Sequence, residues 1–278
     1  MTVLLAGIAA LFIGMSDVSG AVAVRKGRLW ATVMWIFGLS GVTMAVIASF
    51  AGGAPTTGDM LLGGLAGLAS ALALLALYRG YELSELGIVG PTAGIVGAIV
   101  PVAVGLALDG APSLVVVLGM LLGLAAVGLI GWSPIRPDLD MAARRLGVAF
   151  GAAAGVCFGI MALGLGLLTE DAGMWPAVVT RISSSMTVLV IATILRRPLT
   201  PERGTLPNIA IAGAAAAFGI MFFVLAAQRD LAVAGLLIQM GYAVSVLSAI
   251  VLFGERSLPT QRWGFVVAAT SVALITLG

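Results

Sequence analysis

The sequence has no histidine, a single cysteine, and charged residues at only 9% of its 278 positions. Without histidine it lacks the usual metal ligand and the side chain best suited to proton exchange near neutral pH. A lone cysteine, Cys157, excludes an internal disulfide. A soluble domain carries charge at about a quarter of its positions. Charge this sparse therefore excludes an ordinary water-facing surface. The net charge of +2 is too small to point to nucleic acid.

What the chain does have is apolar length. Hydrophobic residues make up 61% of it, and the mean hydropathy is +1.18. The charges sit in short clusters separated by apolar runs of about 20 residues, enough to cross a hydrocarbon core at 1.5 Å per residue. The runs predict ten membrane spans at 3–22, 30–50, 60–78, 86–108, 113–132, 147–168, 174–195, 207–227, 232–253 and 263–278. The first run lacks a basic leader and a small-residue cleavage site, so it reads as a span rather than a removable signal. The 38 glycines lie within the runs and suit close helix packing in lipid. Gly147, Gly151, Gly155 and Gly159 recur every four residues and mark a packing stripe on span six.

Basic residues alternate by connection. Twelve of the 14 lie in the odd-numbered connections, from Arg25, Lys26 and Arg28 to Arg256 and Arg262. The others are Arg229 and the intramembrane Arg181. Basic loops stay cytoplasmic, so both termini are expected on the outer, periplasmic side of the inner membrane. The longest connection divides the chain into a first unit at 1–133, a cytoplasmic linker at 134–146 and a second unit at 147–278. The two units share a layout: Glu82-Leu83 parallels Asp230-Leu231, Gly87 parallels Gly235, and Asp109 roughly parallels Glu255. Five spans per unit is an odd number, so the second enters from the opposite face. The expected fold is all-α and polytopic, with ten transmembrane helices in two inverted five-helix repeats. Such repeats place a substrate site near mid-membrane.

Several residues are candidates for that site. Gln239, Tyr242 and Ser245 follow an i, i+3, i+6 spacing along one side of span nine. Polar groups avoid lipid, so this side forms either a cavity wall or interhelical hydrogen bonds. Gln239 is able to bind both an amine and a carboxylate. Pro91 and Pro101, with Thr92, interrupt span four, where a freed carbonyl either serves a ligand or hinge or leaves a static kink. Asp17, beside Ser16, is a carboxylate inside a span. It is a gating or coupling candidate, or else a helix-end residue that pairs with Arg25–Arg28. Arg181 either attracts a carboxylate or locks a gate, or it snorkels to the interface. The polar run Ser183, Ser184, Ser185 and Thr187 behind it favours an inward role. Tyr78, with Trp35, Met44, Phe218 and Met221, is a candidate for an apolar pocket.

Phe253-Gly254-Glu255-Arg256, followed by Pro259, Gln261 and Trp263-Gly264, resembles the signature between helices nine and ten of the drug/metabolite transporter superfamily, EamA type. The layout of two five-helix halves resembles it over essentially the whole chain. Arg181 resembles an arginine often found in the second helix of a family repeat. The first half departs from the pattern: Asp109-Gly110 reverses the glycine–acid order, and span two has no internal arginine. Within the superfamily the chain is similar to the amino acid exporters. The resemblance implies export of small metabolites, amino acids with aromatic or other apolar side chains foremost, by a monomer in the lipid bilayer without a cofactor.

No nucleophile–base pair, metal cluster or phosphate-binding loop is legible, so an enzyme is not expected. The apparent scarcity of titratable groups at mid-membrane favours a facilitator. The alternatives are a proton-coupled drug or metabolite efflux pump and, in another class, a channel or non-transporting membrane scaffold.

Overall fold

A computed structural model describes residues 1–84, 86–110, 112–131, 140–245, 247 and 258–277. The Phe253-Gly254-Glu255-Arg256 motif and Arg136 lie outside the described residues. Among the described residues, helices lie along each of the ten apolar runs. They are α1 (Thr2–Lys26), α2 (Leu29–Ala51), α3 (Thr57–Leu83), α4 (Leu86–Asp109), α5 (Leu114–Gly131), α6 (Met141–Gly166), α7 (Trp175–Ile194), α8 (Leu206–Ala227), α9 (Leu231–Ile238) and α10 (Pro259–Leu277). No strand occurs among the described residues. Seven helices (α1–α4 and α6–α8) are long and apolar enough to cross a membrane. Two shorter apolar segments are Leu114–Ile130 and Leu231–Ser245. The chain is a multi-pass helical membrane protein.

Local chemistry fixes several helix ends. Thr56 and Asp59 form a reciprocal capping box at the start of α3. Proline occupies the first turn of α7 and α8, where a missing N–H costs nothing. Asp230 caps α9 through the Val233 N–H at 2.9 Å.

The ninth span is not one continuous helix. It turns at Gln239–Met240 and resumes over residues 241–245. The N–H groups of Gln239 and Met240 reach back only three residues, to Leu236 and Leu237 at 3.1 and 3.0 Å. Span four, where proline was expected to interrupt the helix, runs unbroken through Pro91 and Pro101. The glycine stripe of α6 lies directly against it. A Cβ on Gly151 or Gly155 would stand 2.7 Å from the carbonyl oxygens of Val89 and Ala93, and one on Gly159 would stand 3.0 Å from Val100 Cβ. Tight packing supports a helix whose own ladder is incomplete.

The helices interleave across the chain midpoint. α1 packs on α8, α2 on α7 and α8, and α3 on α6 and α7. α4 packs on α6 and α9, and α5 on α10. One end of the bundle gathers residues 52–59, 166–174 and 227–231. Asp59 links α3 to the α6–α7 connection there, accepting from the Thr169 N–H and hydroxyl, each at 2.9 Å. Ala54 N–H donates to the Asp171 carbonyl at 2.8 Å. We term this the clasped end. The opposite end gathers most of the described basic residues, with Gly27 against Thr205 and Arg28 3.9 Å from Glu202. It is the basic end.

Candidate functional site

Helices from both sides of the chain midpoint line a central cavity of about 80 Å³. Its polar wall is Ser16 and Asp17 from α1, Ser70 and Tyr78 from α3, Arg181 from α7, and Gln239 and Tyr242 from the broken span. Phe37, Phe158 and Ile220 are among its apolar lining.

Arg181 is held in place by its neighbours on α7. The hydroxyls of Thr180, Ser183 and Ser184 donate to the carbonyls of Gly63, Gly64 and Gly67 on α3, at 2.9, 2.8 and 2.8 Å. Ser185 donates to Met34 on α2 at 3.3 Å. Each such bond contributes on the order of 1 kcal/mol in a membrane protein. The polar run therefore joins helices and leaves the intervening Arg181 facing the cavity. Arg181 is 4% exposed, and its Nε has no hydrogen-bond partner. Its guanidinium stands 5.6 Å from the centre of the Phe37 ring, within cation–π range.

Asp17 approaches from the other side. It lies about 13 Å along α1 from Lys26 at the basic end, whereas Arg181 lies about 9 Å along α7 from Trp175 at the clasped end. Gly14 and Gly20 on α1 let neighbours close in beside it. A Cβ at Gly14 would meet Val244 Cβ at 2.6 Å, and one at Gly20 would collide with the Tyr78 hydroxyl. Tyr78 and Tyr81 pack with ring centres 6.1 Å apart. Asp17 makes no hydrogen bond or ion pair with any described residue.

α4 positions the broken span through its glycines. A Cβ on Gly94 would stand 2.9 Å from the Tyr242 ring, and one on Gly97 would stand 2.6 Å from Gln239 Nε2. Gln239 is 6% exposed, and its amide has no protein partner among the described residues. The cavity's polar side chains are thus unpartnered. In contrast, Thr180, Ser183, Ser184 and Asp59 are satisfied elsewhere in the bundle. Unpaired polar groups in a membrane interior are costly, and here they converge on one space.

Of the residues singled out from sequence, Ser16, Asp17, Tyr78, Arg181, Gln239 and Tyr242 line this cavity. Pro91, Thr92, Pro101 and Ser245 do not. Thr92 donates to Ile88 within its own helix at 2.6 Å and lies against Gly151. Pro101 packs on Gly235 of α9. Ser245 donates to the Gly14 and Gly241 carbonyls at 3.3 and 3.1 Å, joining its segment to α1. Trp35 is exposed and donates its indole N–H to Leu199 at 3.1 Å. Met44 is fully buried, and Phe218 packs on Phe12 with ring centres 5.4 Å apart. Sequence reasoning missed Phe37, Phe158 and Ser70. Ser70 carried a signal, as an isolated hydroxyl deep in an alanine-rich span. The two phenylalanines carried none.

No family model matches this chain, and no curated protein matches it. A solved structure described as "Crystal structure of protein" is similar over 98% of this chain and 96% of its own, with a TM-score of 0.77 and 14% sequence identity. At that identity the likeness is one of fold alone.

Proposed function

We propose that the protein is a transporter that moves small metabolites, amino acids foremost, across the inner membrane by alternating access. It comprises ten spans in two inverted halves, at 1–133 and 147–278, and acts as a monomer in the bilayer. The observation that carries this reading is the central cavity whose polar and charged groups lack hydrogen-bond and ion-pair partners among the described residues. The lining brings a carboxylate, a guanidinium and apolar rings into one cavity, which suits a small zwitterion with an apolar side chain.

The packing supports an inverted repeat. Exchanging each helix for the one five places along maps α1–α8 onto α3–α6, α2–α8 onto α3–α7, and α4–α6 onto α1–α9, while α2–α7, α4–α9 and α5–α10 map onto themselves. α1 runs towards the basic end and α6 away from it. A helix broken beside the cavity is a recurring device in transporters, since it leaves backbone groups near a ligand. The cavity is far smaller than the roughly 300–1,000 Å³ of a ligand pocket, so passage requires the halves to part. The basic end faces the cytoplasm and the clasped end faces outward.

Labelled amino acids offered to proteoliposomes test the proposal. Uptake is expected to saturate and to be reduced by unlabelled competitors. Uptake no greater than in protein-free vesicles would defeat it. Uptake is also expected without a pH gradient, as in a facilitator. Asp17 on the cavity wall favours a second reading, proton-coupled efflux. Uptake that depends on a pH gradient, and loses that dependence in Asp17→Asn, would establish the second reading.

A further inference from the structure

Asp17, Tyr78 and Tyr242 come from three different elements and line one cavity, and the Tyr78 hydroxyl lies against Gly20, one helical turn from Asp17. Tyr81 packs behind Tyr78. The carboxylate has no hydrogen-bond or ion-pair partner among the described residues, although Arg25, Lys26 and Arg28 lie on the same helix and its C-terminal flank. A carboxylate held in a membrane interior calls for a cation. Tyrosine rings lining the same cavity add attraction for a positively charged group and little for an anion or a neutral solute. Gln239 and Ser16 add oxygen acceptors nearby on the same wall. Arg181, which would repel a cation, is reached from the opposite end of the bundle.

We propose that Asp17, walled by Tyr78 and Tyr242, is an ammonium-recognition site: transported solutes are selected for a cationic nitrogen, which donates to the Asp17 carboxylate. The inference rests on the transporter reading and assigns the part of the substrate that the site reads. It differs from a proton-carrying role because the partner of the carboxylate is the solute.

The test compares three probes that share one side chain: phenylalanine, 3-phenylpropanoate without the amine, and phenethylamine without the carboxylate. A leucine set of the same design runs in parallel. Each competes with labelled phenylalanine or leucine for uptake by the full-length protein in proteoliposomes, with no pH gradient. In the wild type the amine is expected to compete and the des-amino acid to fail. Asp17→Asn is expected to weaken amino acids and amines by about tenfold or more, leaving the des-amino acid unchanged. Arg181→Gln is expected to show the converse, weakening only the probes that carry a carboxylate.

The wild-type comparison stands even if a variant does not fold. Competition by 3-phenylpropanoate equal to that by phenylalanine would overturn the inference while leaving transport intact. So would an Asp17→Asn protein that keeps its affinity for amines and loses only a response to pH. Absence of uptake of both labelled phenylalanine and labelled leucine would defeat the transporter reading itself.

Discussion

Gly155 shows how little room single residues have in this bundle. Its ideal Cβ would fall 2.7 Å from the Ala93 carbonyl and 2.8 Å from Val96 Cβ, both on α4. Gly64 on α3 has nothing within 4 Å. Gly155→Ala is therefore expected to destabilise the protein by about 1–3 kcal/mol, as overpacking does. Gly64→Ala is expected to be neutral or slightly stabilising through helix propensity. Thermal melting in detergent checks the pair, and equal melting temperatures would count against the α4–α6 contact. The stripe was legible because glycine at every fourth position of an apolar run has few other uses. Which helix it met was not legible, since periodicity names a face and not its partner. The site divides in the same way. Asp17 and Arg181 stood out because charge inside a span is rare. Phe37, which stacks on Arg181, looked like any other apolar residue.

At the scale of elements, a buried carboxylate joins α3 to the α6–α7 connection. Asp59 is 2% exposed and accepts from Thr56 N–H and hydroxyl at 2.8 and 2.7 Å, as well as from Thr169. Asp59→Ala would strand these donors, at a cost of about 1–3 kcal/mol for each one left unsatisfied. It would also loosen the clasped end. In a Cys157→Ser background, Ser70→Cys on the cavity wall is then expected to react faster with a membrane-impermeant maleimide applied at that end. Unchanged labelling would show that the clasp does not limit access. The capping residues of this clasp were legible, since Thr-x-x-Asp before an apolar run is a helix start. Its reach to Thr169 was not, because that contact depends on how α3 and α6 pack. The ninth span carries the same lesson. Its apolar length predicted one helix, and the break at Gln239–Met240 falls where Gln239 and Tyr242 lie against Gly97 and Gly94 of α4.

At the scale of the molecule, the pattern of charge and apolar length was enough to place the helices. They recur close to the expected spans because the membrane-crossing length leaves a sequence little freedom. Sidedness rests on the basic residues gathered at one end. A reporter fused to the C-terminus and active only in the cytoplasm is expected to stay inactive. Activity would reverse the assigned orientation and place the Asp59 clasp on the inner side.

The central claim is that the cavity carries solute across the membrane. Uptake of labelled phenylalanine and leucine into proteoliposomes, without a pH gradient, addresses it most directly. The account predicts saturable uptake that unlabelled amino acids compete away. Uptake that rises linearly with concentration, or that matches protein-free vesicles, would contradict it.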